Sequence, residues 1–67
     1  GGGYGAVYSM GYHSTVNLIH GTGAFSASSG TSSSSNVYKS SASHAVTLQN
    51  NTGAAVTYYI LILSSYD

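Results

Sequence analysis

The chain contains no cysteine, and charged side chains make up only 3% of its 67 residues. Without cysteine, no disulfide can stabilise the fold. The single basic residue is Lys39 and the single acidic residue is Asp67, whereas soluble proteins usually carry about a quarter to a third charged residues on their surface. The formal net charge is zero, so nothing attracts the chain to nucleic acid or to an anionic membrane.

The same scarcity argues against an enzyme. A Ser-His-Asp triad would need the only carboxylate, Asp67, to be ordered and buried. His13, His20 and His44 follow no compact metal-ligand spacing, so we interpret them as surface or interface side chains. No phosphate-binding glycine motif is present, and no apolar run is long enough for a helix to span a bilayer. We therefore expect no catalysis, no cofactor and no membrane span.

The apolar content is small for an independent domain. The chain has the length of one small domain. Domains of this size usually need disulfides, a metal or neighbouring subunits for stability. With disulfides excluded, neighbouring subunits are the favoured source of additional stability.

Residues 43–65 give the strongest structural signal. Apolar Val46 and Leu48 alternate with polar neighbours, which indicates a strand with one wet face. Asn50–Gly53 follows as a turn-forming run, and residues 54–63 then read as a second strand. The pattern predicts a tight hairpin whose second strand is covered on both faces from Tyr58 to Leu63, where both parities are apolar.

The N-terminal region also alternates. One parity of residues 4–12 is apolar or aromatic, which predicts a long strand. We divide the chain into residues 1–12, an extended first strand or a donated arm, and residues 13–67, a single small all-β domain. The first alternative keeps the strand in its own sheet. The second donates it to a neighbouring subunit, and the flexible lead Gly1–Gly3 would help such an arm to reach out.

The middle of the chain predicts shorter strands. Ser14–His20 reads as a second strand with Val16 and Leu18 directed inward. A short strand is expected around Phe25, and Val37–Lys39 is expected to form an edge strand, on which a lysine discourages unwanted pairing. No helix is predicted. The expected fold is an all-β sandwich or open barrel, jelly-roll-like, with roughly five or six short strands.

Two features suggest attached sugars. Asn50-Asn51-Thr52 matches the N-x-[ST] acceptor motif at the tip of the predicted hairpin, although these residues could simply form the turn. Ten of the eighteen residues from 26 to 43 are serine, which suits either a flexible loop or a polar sheet face and could carry O-linked sugars. Asn50 is therefore a candidate glycosylation site, and a native mass above 6.8 kDa would support covalent glycans.

The arm at residues 1–12 and the hairpin at residues 45–63 resemble the subunits of extracellular pilus-like filaments. The similar families are donor-strand pilins and the jelly-roll subunits of spore appendages. The resemblance implies a structural subunit that is extracellular or at the cell surface, and whose partners are copies of itself in a helical homopolymer. Strand complementation and apolar or aromatic contacts would connect the copies. The expected assembly interface consists of Tyr4, Ala6, Tyr8, Met10, Tyr12, Val56, Tyr58, Ile60 and Ile62.

Two other functions remain open. In a small lectin-like module, tyrosine side chains would stack on sugars, and the protein would stay a discrete small oligomer. In an amyloid-type fibre, Thr57–Leu63 would nucleate assembly, because this segment combines high β-propensity with no charge and no proline. Growth in solution separates a filament from a lectin, and dominant cross-β diffraction at about 4.7 Å would identify amyloid.

Overall fold

The computed structural model describes residues 4–30 and 33–66, and this part of the chain contains six β-strands and no helix. The predicted all-β class is therefore confirmed. Accordingly, the described residues offer no helix with which the chain could cross a membrane. The predicted flexible lead, Gly1–Gly3, lies outside the described residues. The strands are β1 (Tyr4–Met10), β2 (Asn17–Thr22), β3 (Phe25–Ser26), β4 (Ser35–Tyr38), β5 (Thr47–Asn50) and β6 (Tyr58–Ser64).

The strands form two three-stranded sheets. Sheet A has the order β2–β1–β6, and sheet B has the order β3–β4–β5. In sheet A, the central strand β1 is antiparallel to β2 and parallel to β6. In sheet B, the central strand β4 is parallel to β3 and antiparallel to β5.

The predicted hairpin is wrong, although both of its strands exist. β5 belongs to sheet B and β6 to sheet A, so residues 51–57 cross between the sheets. The turn signal is satisfied locally: Asn50 Oδ1 accepts hydrogen bonds from the backbone N–H and hydroxyl of Thr52, and Asn50 Nδ2 donates to the carbonyl of Ala54. Such a turn reverses the chain without deciding which strands pair.

Side chains from both sheets form a small core. Tyr8 from sheet A is fully buried, and its hydroxyl donates to the carbonyl of Ser26 in sheet B at 2.6 Å. The Tyr58 and Ser35 hydroxyls are 2.8 Å apart, which links the sheets a second time. These contacts make the fold a thin sandwich. The buried apolar residues are Ala6, Tyr8, Val16, Phe25 and Val37.

The predicted edge strand at Val37–Lys39 is also wrong. β4 is the central strand of sheet B, and its residues Ser35, Asn36 and Val37 are buried. Lys39 is buried as well, and its ammonium donates to the backbone carbonyls of Ser14 and Ser40. Because polar side chains in this serine-rich region are satisfied internally, the strand is buried without an apolar pattern that could indicate it.

The second predicted strand is displaced along the chain. β2 begins at Asn17 and continues to Thr22, two residues beyond the expected end. Val16 is buried as predicted, whereas Leu18 lies opposite buried Tyr8 but remains 37% exposed. The register with β1 shifts at this point, because Val7 pairs with His20 and Tyr8 pairs with Leu18. The shift inserts one extra residue, a β-bulge, into this edge of sheet A.

Candidate assembly surface

Most of the residues predicted to form the assembly interface lie inside the domain. β1 and β6 run in register, so Tyr4 pairs with Tyr58, and Tyr8 with Ile62. The structure therefore brings the predicted interface residues of the N-terminal arm together with those of the predicted hairpin, but it does so within one chain. Both sides of β1 are occupied by strands of the same chain, so this structure has a retained first strand and no donated arm. The inward residues of these strands are Tyr4, Ala6, Tyr8, Met10, Tyr58, Ile60 and Ile62.

Two predicted interface residues lie outside the strands. Val56 is half-buried in the crossing segment that precedes β6. Tyr12 follows β1 and contacts other aromatic rings at one end of the molecule. Neither position contributes to the β1–β6 pairing.

Sheet A leaves its outer face uncovered within the described chain. Tyr59, Leu61 and Leu63 of β6 have the opposite parity to the buried residues and are 70%, 55% and 52% exposed. The expectation that both faces of Tyr58–Leu63 are covered is therefore not met in the single subunit. Isolated apolar residues are common on surfaces, but a contiguous row of this kind usually marks an interaction site.

The outer face has a ridge beside a trough. We call Tyr59, Leu61 and Leu63 the ridge, and the neighbouring outward positions of β1 the trough. The trough consists of Gly5, Val7 and Ser9, each of which pairs with the corresponding ridge residue across the parallel strands. Two shallow grooves follow this line, one of about 460 Å³ over Gly5 and Val7 and one of about 550 Å³ beside Ser9.

The two edges of sheet A differ in their protection. The β2 edge carries the bulge, which is one of the features by which proteins discourage strand addition. In the described structure, β6 has no strand on its outer side, and its seven residues include no charged residue and no proline. β6 is therefore the edge of sheet A that is open to an additional strand.

Charge does not protect these surfaces. Lys39 is the only charged side chain within the described residues, and it is buried. Asp67, the carboxylate that a triad would have needed, lies outside the described residues. Two copies of the described surface can therefore approach each other without repulsion between like charges.

An aromatic cluster at one end of the domain was not predicted. Tyr12 lies 4.9 Å from His13 and 5.1 Å from His44, measured between ring centroids, and stacks on Tyr66 at 6.2 Å. The His44 ring nitrogen Nε2 lies 2.8 Å from the carbonyl oxygen of Ser65. These residues come from three parts of the chain that are far apart in sequence, namely residues 12–13, residue 44 and residue 66. Only the tertiary fold therefore reveals the cluster.

The remaining candidate residues are exposed. His20 lies on the outer face of sheet A beside Val7, and the described residues contain no group of three metal-ligating side chains. Asn50 is exposed at the end of β5, where its side chain makes the turn hydrogen bonds described above. Its glycosylation stays a prediction.

The fold predicts a loss of stability at alkaline pH through Tyr8. Burial raises the pKa of the Tyr8 phenol above its ordinary value of 10.0. The unfolded chain therefore releases this proton at a lower pH than the folded chain, and stability falls as the pH rises above about 10. We expect Tyr8→Phe to lower the free energy of unfolding at pH 8 by about 1 kcal/mol, because the Ser26 carbonyl loses its hydrogen-bond donor.

Urea unfolding at pH 8 and at pH 11 measures this effect. The difference in unfolding free energy between wild type and Tyr8→Phe should shrink at pH 11. Wild type loses stability through the Tyr8 phenol at that pH, whereas phenylalanine has no proton to lose. Tyr59→Phe is the matched control, because it removes a phenol hydroxyl from an exposed tyrosine on the adjacent strand. An equal difference at both pH values would contradict the assignment to Tyr8.

No protein family, curated protein or solved structure matches this chain. The uncovered face and the open edge of sheet A are therefore the features of the molecule that point to a function.

Proposed function

We propose that this chain is a structural subunit of a self-assembling, pilus-like filament that is extracellular or at the cell surface. It is not an enzyme, and its partners are copies of itself. The observation that carries this proposal is sheet A, in which the exposed apolar ridge adjoins the unprotected edge of β6. The very low charge of the chain supports self-association, because it removes the usual repulsive barrier between copies.

Strand complementation would take place at β6. A strand from the next copy would pair with the open edge and satisfy the backbone groups of Tyr58–Ser64. Pairing between unlike edges is heterologous and grows into an open helical polymer when its rotation does not close a ring, whereas pairing of β6 with β6 would close into a dimer. β1 would remain in its own subunit.

The proposal predicts growth with concentration. Sedimentation velocity from micromolar to millimolar protein, combined with electron microscopy, should show the wild-type chain growing into filaments. Leu61→Lys places a charge on the ridge and beside the open edge, and it should reduce assembly at least about tenfold. Ser29→Lys, which adds the same charge at an exposed residue outside the strands, is the control. A wild-type chain that stays monomeric throughout would overturn the proposal.

A lectin-like module is the second candidate, and the aromatic cluster favours it. Tyr12, His13, His44 and Tyr66 place four rings together, and Tyr66 is 83% exposed. Exposed tyrosine rings provide an apolar face with a polar tip, which suits sugar stacking. A discrete oligomer whose tyrosine fluorescence changes on titration with sugars would support this function instead.

An amyloid-type fibre is a third candidate, based on the segment Thr57–Leu63. Most of this segment forms the exposed edge strand β6, where aggregation-prone sequence is most accessible. Fibre diffraction dominated by the cross-β spacing of about 4.7 Å, with loss of the native fold, would favour amyloid.

A further inference from the structure

We propose that the outer face of sheet A binds the same face of a second copy, so that each ridge lies in the other copy's trough. This inference rests on the proposed self-assembly and names one of its contacts. It is separate from strand addition at the β6 edge, because it uses side chains that point away from the sheet.

The surface is complementary to itself in size. Along the parallel pairing of β1 with β6, the largest ridge residue, Tyr59, lies beside the smallest trough residue, Gly5. Leu61 lies beside Val7, and Leu63 lies beside Ser9. A two-fold axis parallel to the strands, between β1 and β6, would place the ridge of each copy over the trough of the other. Sheets that pack face to face in this way are about 10 Å apart.

Gly5 is small without a conformational requirement for glycine. A Cβ at this position would lie 3.5 Å from the Tyr59 carbonyl oxygen and 3.7 Å from the Thr22 hydroxyl, which are ordinary contacts. The backbone of Gly5 is not in the positive-φ region, where Gly23, Gly30 and Gly53 lie. The subunit itself therefore tolerates a side chain there, and the space over Gly5 is available to a partner.

The absence of charge on this surface, together with the matched ridge and trough, favours a second copy as the partner. The outer face carries no charged side chain, so it offers nothing to an acidic or basic partner. A second copy presents the same uncharged ridge and trough, which makes it complementary in both shape and polarity. Because residue i contacts j and residue j contacts i, the contact is isologous and closes into a dimer.

The available area sets the strength of this dimer. Seven residues and the two overlapping strands cover roughly 23 by 10 Å at about 3.3 Å per residue and about 4.8 Å per strand. Two such faces remove about 450 Å² of flat area, and even with side-chain relief this stays below the roughly 1,200 Å² at which standard interfaces begin. We therefore expect a weak dimer with a Kd of about micromolar or higher, which a second contact such as the β6 edge would reinforce in a filament.

Three variants test the contact. Gly5→Leu fills the trough without touching the β6 edge, and Tyr59→Ser removes the main ridge side chain. Each should weaken dimerisation, measured by sedimentation equilibrium, by at least about tenfold. Tyr66→Ser, the matched loss of an exposed tyrosine away from this face, should change the Kd by less than about twofold. Circular dichroism and urea midpoints verify that all three remain folded.

Cysteine cross-linking tests the geometry independently, because the chain has no native cysteine. Sheets packed face to face at about 10 Å hold the two Cα atoms beyond the reach of a direct disulfide, so a linker is needed. Mixing the single variants Val7→Cys and Leu61→Cys with a short bis-maleimide linker should give a cross-linked dimer in high yield. Mixing Val7→Cys with Ser29→Cys should not, since Ser29 lies in the segment after β3.

The outcomes separate this contact from the proposed function. Filaments that form equally from wild type, Gly5→Leu and Tyr59→Ser would overturn the face contact and leave self-assembly through the β6 edge. A wild-type chain that never associates would overturn both. Co-flotation of the wild-type chain with neutral phosphatidylcholine vesicles, lost in Tyr59→Ser, would identify lipid as the occupant and overturn the second copy.

Discussion

A Tyr8→Ser variant is expected to lose its folded state. Tyr8 is fully buried at the centre of sheet A, and its hydroxyl provides one of the links to sheet B. Replacing a buried aromatic by a small residue costs about 3–5 kcal/mol, which is comparable with the entire stability that a core of this size usually supplies. Serine also places an unmatched hydroxyl near the vacated space.

Far-UV circular dichroism and urea unfolding measure this result, with Tyr59→Ser as the control. The control makes the same substitution on the adjacent strand of sheet A, where the tyrosine is 70% exposed, and should keep its β signal. The comparison also tests the donated-arm alternative. If β1 were donated, Tyr8→Ser would weaken assembly and leave the β signal of the subunit intact.

Lys39→Met is expected to destabilise the fold by about 2 kcal/mol, since hydrogen bonds from charged donors contribute about 1.5–3 kcal/mol. The Lys39 ammonium donates to the carbonyls of Ser14 and Ser40, and it also lies 3.5 Å from the carbonyl oxygen of Tyr12. Methionine keeps the length of the side chain but leaves these carbonyls without their donor. Removing a buried charge relieves a desolvation cost, but the loss of several partners at once outweighs it.

Thermal unfolding measures this prediction as a decrease in Tm of about 8–16 °C for a domain of this size. Ser29→Lys changes the net charge by one unit in the opposite direction at an exposed site, and it should shift the Tm by only a small fraction of this amount. A Lys39→Met protein with the Tm of wild type would show that the buried ammonium contributes no net stability.

The sequence predicted the strands better than their partners. The alternation at residues 4–12 and the apolar run from Tyr58 to Leu63 correspond to β1 and β6, because the side-chain period is a local property. The pairing of β1 with β6 is not local. Its partners lie more than fifty residues apart, as Tyr4 and Tyr58 show, and no turn residue specifies such a contact.

The serine-rich region was the least predictable part of sheet B. β4 is buried because its polar side chains bond to one another and to the backbone: Asn36 Nδ2 donates to the Gly30 carbonyl at 2.9 Å, and Asn36 Oδ1 accepts from the Ser26 hydroxyl. Hydrophobic periodicity cannot indicate a strand that is buried by hydrogen bonding.

The candidate assembly surface was partly visible in the sequence. Apolar residues at both parities of Tyr58–Leu63 indicated two faces in need of cover, and the structure covers only the inner one. The role of the outward-facing residues of β1 was not visible in the sequence, because nothing in it distinguishes Gly5 and Ser9 from other small residues. Their role as a trough depends on their position beside Tyr59 and Leu63.

The parallel pairing of β1 with β6 also has a kinetic consequence. β1 and β2 are made first, but sheet A lacks its third strand until residues 58–64 emerge about forty residues later. At about 5–20 residues per second, the ribosome leaves the β1 edge open for roughly 2–8 s. During that interval β1 can accept a strand from another molecule, so the ratio of exchanged to self-completed subunits should rise with the rate of synthesis per cell. Folding should also be slow, on the millisecond-to-second scale typical of folds with distant strand partners.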